Sequence, residues 1–149
     1  MTAIYVDADA CPVKDEVLKV AGRHNLKSYL VTDGGIRPPR DPMAELVVVA
    51  QGADAADDWI ADRIEPADIC ITNDIPLAAR CLEKGAAAVK PNGDVFTKDM
   101  IGMALANRNL MKGLRDAGGI TGGPRPFNAK GRSRFLDAFE TAVRRAMKV

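Results

Sequence analysis

The chain has a single histidine, His24, and three cysteines, Cys11, Cys70 and Cys81, with no C-x-x-C spacing among them. A histidine-rich metal centre and a Ser-His-Asp triad are therefore poorly supplied. The odd, widely spaced cysteines fit reduced thiols better than a disulfide framework or a zinc site. His24 lies in "GRHN" at the end of a helical pattern and reads as a surface or capping residue. No apolar run approaches the roughly 20 residues of a membrane helix. The opening "MTAIYVDADA" has no basic n-region and no long apolar h-region, so a cytoplasmic protein without a secretory signal is expected. Aromatics are scarce, at 5% of the chain, and Trp59 and most phenylalanines fall in helical core patterns. That leaves little with which to read single-stranded bases by stacking. Phe127 in "RPFNAKG" is the one loop aromatic among basic residues, and anchoring the connector to the core is its preferred role.

What is present points to one ordinary globular domain. At 149 residues the chain is long enough to bury a real core, and 47% hydrophobic with 28% charged residues is a usual balance. The net charge of +1 conceals an asymmetry. Residues 1–97 carry 10 Lys/Arg against 16 Asp/Glu, a net of −6, and residues 98–149 carry 11 against 4, a net of +7. An acidic half joined to a basic half suits a carboxylate metal site beside a polyanion-binding surface, although a basic amphipathic helix can also simply solvate itself.

Apolar runs alternate with helical periodicity. "AIYV" (3–6), "SYLVT" (28–32), "ELVVVA" (45–50), "DICIT" (68–72) and "AAAVK" (86–90) read as five strands. The third is so continuously apolar that a sheet covered on both faces is expected. Helices are expected with Pro12 in a first turn, over 52–64 with Asp54 as a candidate cap, over 73–85 with a stop at Gly85, and over 97–119 from Thr97. The Gly/Pro-rich connector 118–131 leads to a last helix over 132–148, with Phe135, Phe139, Ala142, Val143 and Ala146 as its apolar face. The pattern predicts an α/β fold, a three-layer sandwich with a mainly parallel central sheet of about five strands. In such sheets ligands bind at the carboxyl ends of the strands, where the strand order reverses.

Acids collect where that edge is expected. Asp7 and Asp9 follow strand one, Asp74 follows strand four, and Asp54, Asp57 and Asp58 open the helix after strand three. Helix capping accounts for one or two of them through the macrodipole. Carboxylates gathered at one place repel, and a divalent cation relieves that cost. Oxygen-only ligation suits Mg²⁺ or Mn²⁺, with Thr72 and Asn73 available for supporting hydrogen bonds. Such an ion activates water and polarises a phosphodiester.

"YVDADACPVKDEV", "GADAADDWI", "CITNDIPLAARCLEKGA" and "GGPRPFNAKGRSRFLDAFE" together resemble the YaiI/YqxD family of uncharacterised bacterial proteins, over essentially the whole chain. D-x-D alone is a weak motif; the set is specific. That family is placed in the PIN-like nuclease group. The resemblance implies a single PIN-like domain over 1–149 and a Mg²⁺- or Mn²⁺-dependent nuclease site. Asp7 matches the implied strand-one acid, Asp74 the strand-four acid, Asp57 or Asp58 the acid of the intervening helix, and Asp9 an additional acid that would ligate or orient the attacking water. A further acid after strand five matches Asp94 or Asp99. The implied reaction is hydrolysis of nucleic-acid phosphodiesters, with RNA the expected substrate. Arg37, Arg108, Lys112, Arg115, Arg125, Lys130, Arg132 and Arg134 would position the backbone.

Two other readings compete. PIN-like modules can lack catalysis, and the basic residues could then serve RNA or partner binding through salt-dependent phosphate contacts. Alternatively, the D-x-D resembles the nucleophile motif of haloacid-dehalogenase-like phosphatases, with Asp7 attacking phosphorus. That pattern continues to Thr or Val where this chain has Cys11. Cys11 sits at an expected helix start, yet no base is in view and buried packing is its preferred role.

Overall fold

The computed structural model describes residues 2–8, 11–34, 37–50, 55–103, 106 and 129–148. Five parallel strands, β1 (Ala3–Asp7), β2 (Lys27–Thr32), β3 (Ala44–Val48), β4 (Ile69–Ile71) and β5 (Ala87–Val89), form one sheet in the order β3-β2-β1-β4-β5. Helix α1 (Lys14–Arg23) connects β1 to β2, α2 (Ala55–Arg63) precedes β4, α3 (Ile75–Glu83) connects β4 to β5, and α4 (Ala129–Met147) ends the fold. Residues 98–103 are also helical, and Met100 N–H bonds Thr97 Oγ1 at 3.1 Å, the cap expected of Thr97.

The period of two in β1 and β4 divides two cores. Ile4, Val6, Ile69 and Ile71 face α1 and α4, where Val17, Val20, Phe135, Phe139 and Val143 are buried. Tyr5 and Cys70 face α2 and α3, with Ile60, Leu77 and Cys81. Helices thus cover both faces, as a parallel sheet requires. The chain builds outward from β1 to β3, then crosses to the other side of β1 for β4 and β5. The strand order reverses between β1 and β4.

One expectation holds with a difference and another needs correction. The sheet is covered on both faces, as the apolar run of β3 leads one to expect, but β3 itself is not fully covered: Glu45 is exposed and Val48 is 63% exposed. It lies at the sheet's edge, and no helix connects it to β2, so its residues are only partly covered. The correction is to α1, which begins at Lys14, two residues beyond Pro12, with Val13 at the cap position and no side-chain cap. The Cys11 N–H bonds the Ala8 carbonyl at 3.4 Å, and Pro12 lies in the turn just before the helix.

Aromatic packing sets the position of α2. Tyr5 and Tyr29 are register partners stacked at 5.1 Å, and Trp59 of α2 rests on both, at 6.0 and 5.8 Å. Arg63 lies over that indole, 4.2 Å from its centroid. At the far edge, Gly93 has φ of +99°, and a Cβ there would meet the Arg134 backbone at 2.8 Å. Only glycine lets the turn after β5 lie this close to α4.

Candidate functional site

β1 and β4 run side by side, with Val6 opposite Ile71, so the next residues of each chain segment emerge together at the carboxyl edge. Asp7 is the last residue of β1, and Thr72 follows β4. Thr72 Oγ1 donates to Asp7 Oδ2 at 3.0 Å and accepts the Asp74 N–H at 2.9 Å. One hydroxyl therefore orients the Asp7 carboxylate and fixes the backbone of the residue that opens α3. Asp74, in extended conformation, caps that helix: its Oδ1 accepts Leu77 N–H at 2.8 Å. Pro76 lies in the first helical turn, where its missing donor costs nothing. Asp7 and Asp74 thus meet through Thr72 at the reversal of strand order, 65 residues apart from Asp7 to Thr72.

The adjacent aspartates of α2 are distinguished by their surroundings. Asp58 is exposed and accepts Arg80 of α3 at 2.8 Å. Asp57 is half-buried and acts with Asp7 on the same buried group, the Cys70 thiol. Its hydrogen bond with Cys81 and its burial push the Cys70 thiol well up, and the charges of Asp7 and Asp57 push further in the same direction. Asp57 is thus the half-buried acid of the two, and Asp58 belongs to an ion pair between helices.

Asp9 and the candidate cap Asp54 lie outside the described residues. Of the two acids after β5, Asp94 accepts Arg134 at 3.0 Å and shapes the turn through Asn92, and Asp99 is exposed. Among the described residues, no group of three or more His, Cys, Asp or Glu side chains could hold a metal ion. The donors that the edge does offer are carboxylate and hydroxyl oxygens, which fit a hard cation such as Mg²⁺ or Mn²⁺ in kind.

The basic residues divide similarly. Arg108, Lys112, Arg115 and Arg125 lie outside the described residues, and Arg37 is exposed in the β2–β3 loop. The amino end of α4 lies at the carboxyl edge of the sheet. Arg132 donates to Pro12 carbonyl at 3.2 Å and to Glu16 at 2.8 Å, and Arg134 reaches Asp94. Lys130 is exposed beside them. The sequence provided no signal for the Arg80, Glu16 and Asp94 partners, because each pair joins segments remote in the chain.

Cys11 is buried, as expected, and burial pushes its thiol up to about 11, opposed by the Val13 backbone hydrogen bond and by Lys14. It offers no thiolate. His24 does close α1 as a capping position, and its ring also bonds Glu140 of α4 at 2.6 Å, at the end of α1 away from the candidate site. No helix among the described residues is long and apolar enough to cross a membrane.

A family model described as "Uncharacterized BCR, YaiI/YqxD family" matches residues 5–145. A UPF0178 protein of Rhodopseudomonas palustris (strain TIE-1) is 61% identical over 145 residues, covering 97% of this chain and 92% of that protein. A UPF0178 protein of Paramagnetospirillum magneticum is 57% identical over 149 residues, covering 100% of this chain and 99% of the relative. Another, of Parvibaculum lavamentivorans, is 58% identical over 143 residues, covering 96% and 94%. No solved structure matches the chain.

Proposed function

This chain belongs to the YaiI/YqxD family, and from the chemistry of its carboxyl edge we propose that it is a PIN-like, divalent-metal-dependent nuclease that hydrolyses RNA phosphodiesters. One observation carries the reading: Thr72 links Asp7 to Asp74 where the strand order reverses between β1 and β4. A helix cap alone would need only Asp74 and Leu77 N–H; the buried Thr72 hydroxyl in addition holds the Asp7 carboxylate at the same edge.

In this reading Asp7, Asp57 and Asp74 would hold Mg²⁺ or Mn²⁺ partly through bound water, since no three described carboxylates gather as a ligand group, and Asp9 would add a ligand or orient the attacking water. A cation held there would make a bound water more acidic and would neutralise charge on the phosphodiester. Thr72 acts through Asp7, holding its carboxylate in one orientation, as supporting hydrogen bonds do around metal ligands. Lys130, Arg132 and Arg134 lie on the same edge and grip the phosphate backbone, for which Arg132 and Arg134 exchange part of their pairing with Glu16 and Asp94.

The test is cleavage of an RNA oligonucleotide panel with Mg²⁺, Mn²⁺ or chelator, beside the thermal shift that each metal produces. Wild type cleaves only with metal and is stabilised by it; Asp7→Asn with Asp74→Asn loses both. Cleavage that survives in the double variant would sink the assignment. The basic edge also favours a second reading, RNA binding without hydrolysis. Salt-sensitive RNA binding with no metal-dependent product in wild type would select it.

A further inference from the structure

The face of α4 that carries Asp137, Thr141 and Arg145 borders a groove of about 650 Å³ at the β5 edge of the sheet. Its opposite wall includes Pro66, Ala87 and Val95. The lining is largely apolar, and the small side chains Ala138 and Ala142 leave room for a helix backbone to approach. The sheet cannot simply extend here along all of β5, because Val95 already bridges Val89 in the antiparallel sense.

The charges on this face indicate what would fill it. Arg132, Arg134 and Arg144 of α4 are each paired with an acid of the same chain. Asp137 and Arg145 are exposed, and among the described residues neither side chain has an ion-pair partner. Each stands four residues from Thr141, on opposite sides of it, or about 6 Å along the axis. A two-fold axis through Thr141 brings a second α4 antiparallel to the first and sets each Asp137 against the other copy's Arg145. An isologous contact demands such reciprocity, in which residue i meets j and j meets i.

We propose that this groove is the interface of a two-fold dimer, with a second copy of the chain as its occupant and the reciprocal Asp137–Arg145 pairs setting its register. The dimer face lies along α4 and the β5 edge, away from the Asp7–Thr72–Asp74 link, and shares Arg134, at its rim, with the RNA-gripping residues named above. It needs no cleavage, so the inference stands whether or not the protein cleaves RNA.

Sedimentation equilibrium over a series from about 1 to about 100 μM chain, which spans the micromolar end of such interfaces, provides the test and reads the dissociation constant of each variant. At the top of the series wild type is expected at twice the 15.9 kDa chain mass. Asp137→Arg or Arg145→Asp alone places like charges together at two symmetry-related points and weakens association by at least about tenfold. Combining the two substitutions restores opposite charges and with them the dimer. Circular dichroism melts keep folding separate from assembly, and both exposed substitutions should leave the fold intact. A monomeric wild type overturns the proposal. So does a dimer indifferent to the single substitutions, or a double variant that stays monomeric.

Discussion

Asp68 and Asp74 stand at opposite ends of β4. Asp68 precedes the strand and is 5% exposed, and both of its oxygens are taken by backbone donors: Ala3 N–H reaches Oδ1 and Glu65 N–H reaches Oδ2, each at 2.9 Å. Burial pushes its carboxyl up, and those two hydrogen bonds pull part of the shift back. Asp74 follows the strand. It gives one oxygen to the first turn of α3, and its own N–H is bound to the hydroxyl that orients Asp7. The first aspartate ties the start of β1 to the turn before β4 and has its acceptors committed to the backbone. The second stands at the edge where ligands reach a parallel sheet. Position in the topology and the identity of the donors, rather than burial alone, separate a structural carboxylate from a candidate ligand.

The contrast is broken most severely at Asp68. Replacing it by Ala leaves two backbone N–H groups unpaired and is expected to cost about 3 kcal/mol in urea unfolding, while the folded fraction keeps its metal-dependent cleavage. Asp7→Asn should do the reverse, removing cleavage with little loss of stability. If both variants lose stability alike, the Asp7–Thr72 bond is structural too.

A finer distinction concerns α2. Asp57→Asn is expected to lower cleavage by roughly 10- to 100-fold, read as kcat/KM on one RNA. Asp58→Asn gives up only its exposed pair with Arg80, costing less than about 1 kcal/mol, and keeps the rate. Equal losses would return both residues to the site.

The smallest effect lies at the opposite end of α1. Burial works against the Glu140 carboxylate, but the His24 hydrogen bond and the charges of His24, Arg144 and Arg23 outweigh it and hold the carboxyl below its ordinary range. Because the folded value is depressed, this stability is present above the ordinary carboxylate range and is lost as pH falls through the lowered value. His24→Ala should flatten that acid limb in melts followed from neutral to acid pH, with a change below about 1 kcal/mol at neutrality.

Much of the fold was legible because its signals are local. The strands announce themselves by short apolar runs, and α4 by Phe135, Phe139 and Val143 recurring on one face. Asp74 was recognisable as the acid following strand four, immediately before "IPLAARC". The edge position of β3 was hidden, because an apolar run reports what can be buried and not which neighbours will bury it. Asp57 and Asp58 were equivalent in sequence and became distinct once Trp59 seated α2 on Tyr5 and Tyr29.

By itself the sequence determined an alternating α/β chain, the acids that end its first and fourth strands, and a basic closing helix. These follow from repeats of 2 and 3.6 residues within short windows. Only the tertiary structure decided that β1 and β4 are neighbours, that Thr72 joins Asp7 to Asp74, and that Arg132 and Arg134 close on Glu16 and Asp94. Those contacts span 116 residues for Arg132–Glu16 and 40 for Arg134–Asp94. No local period encodes them; they form because two apolar cores must be covered at once, and covering both brings β1, β4 and the start of α4 to one edge.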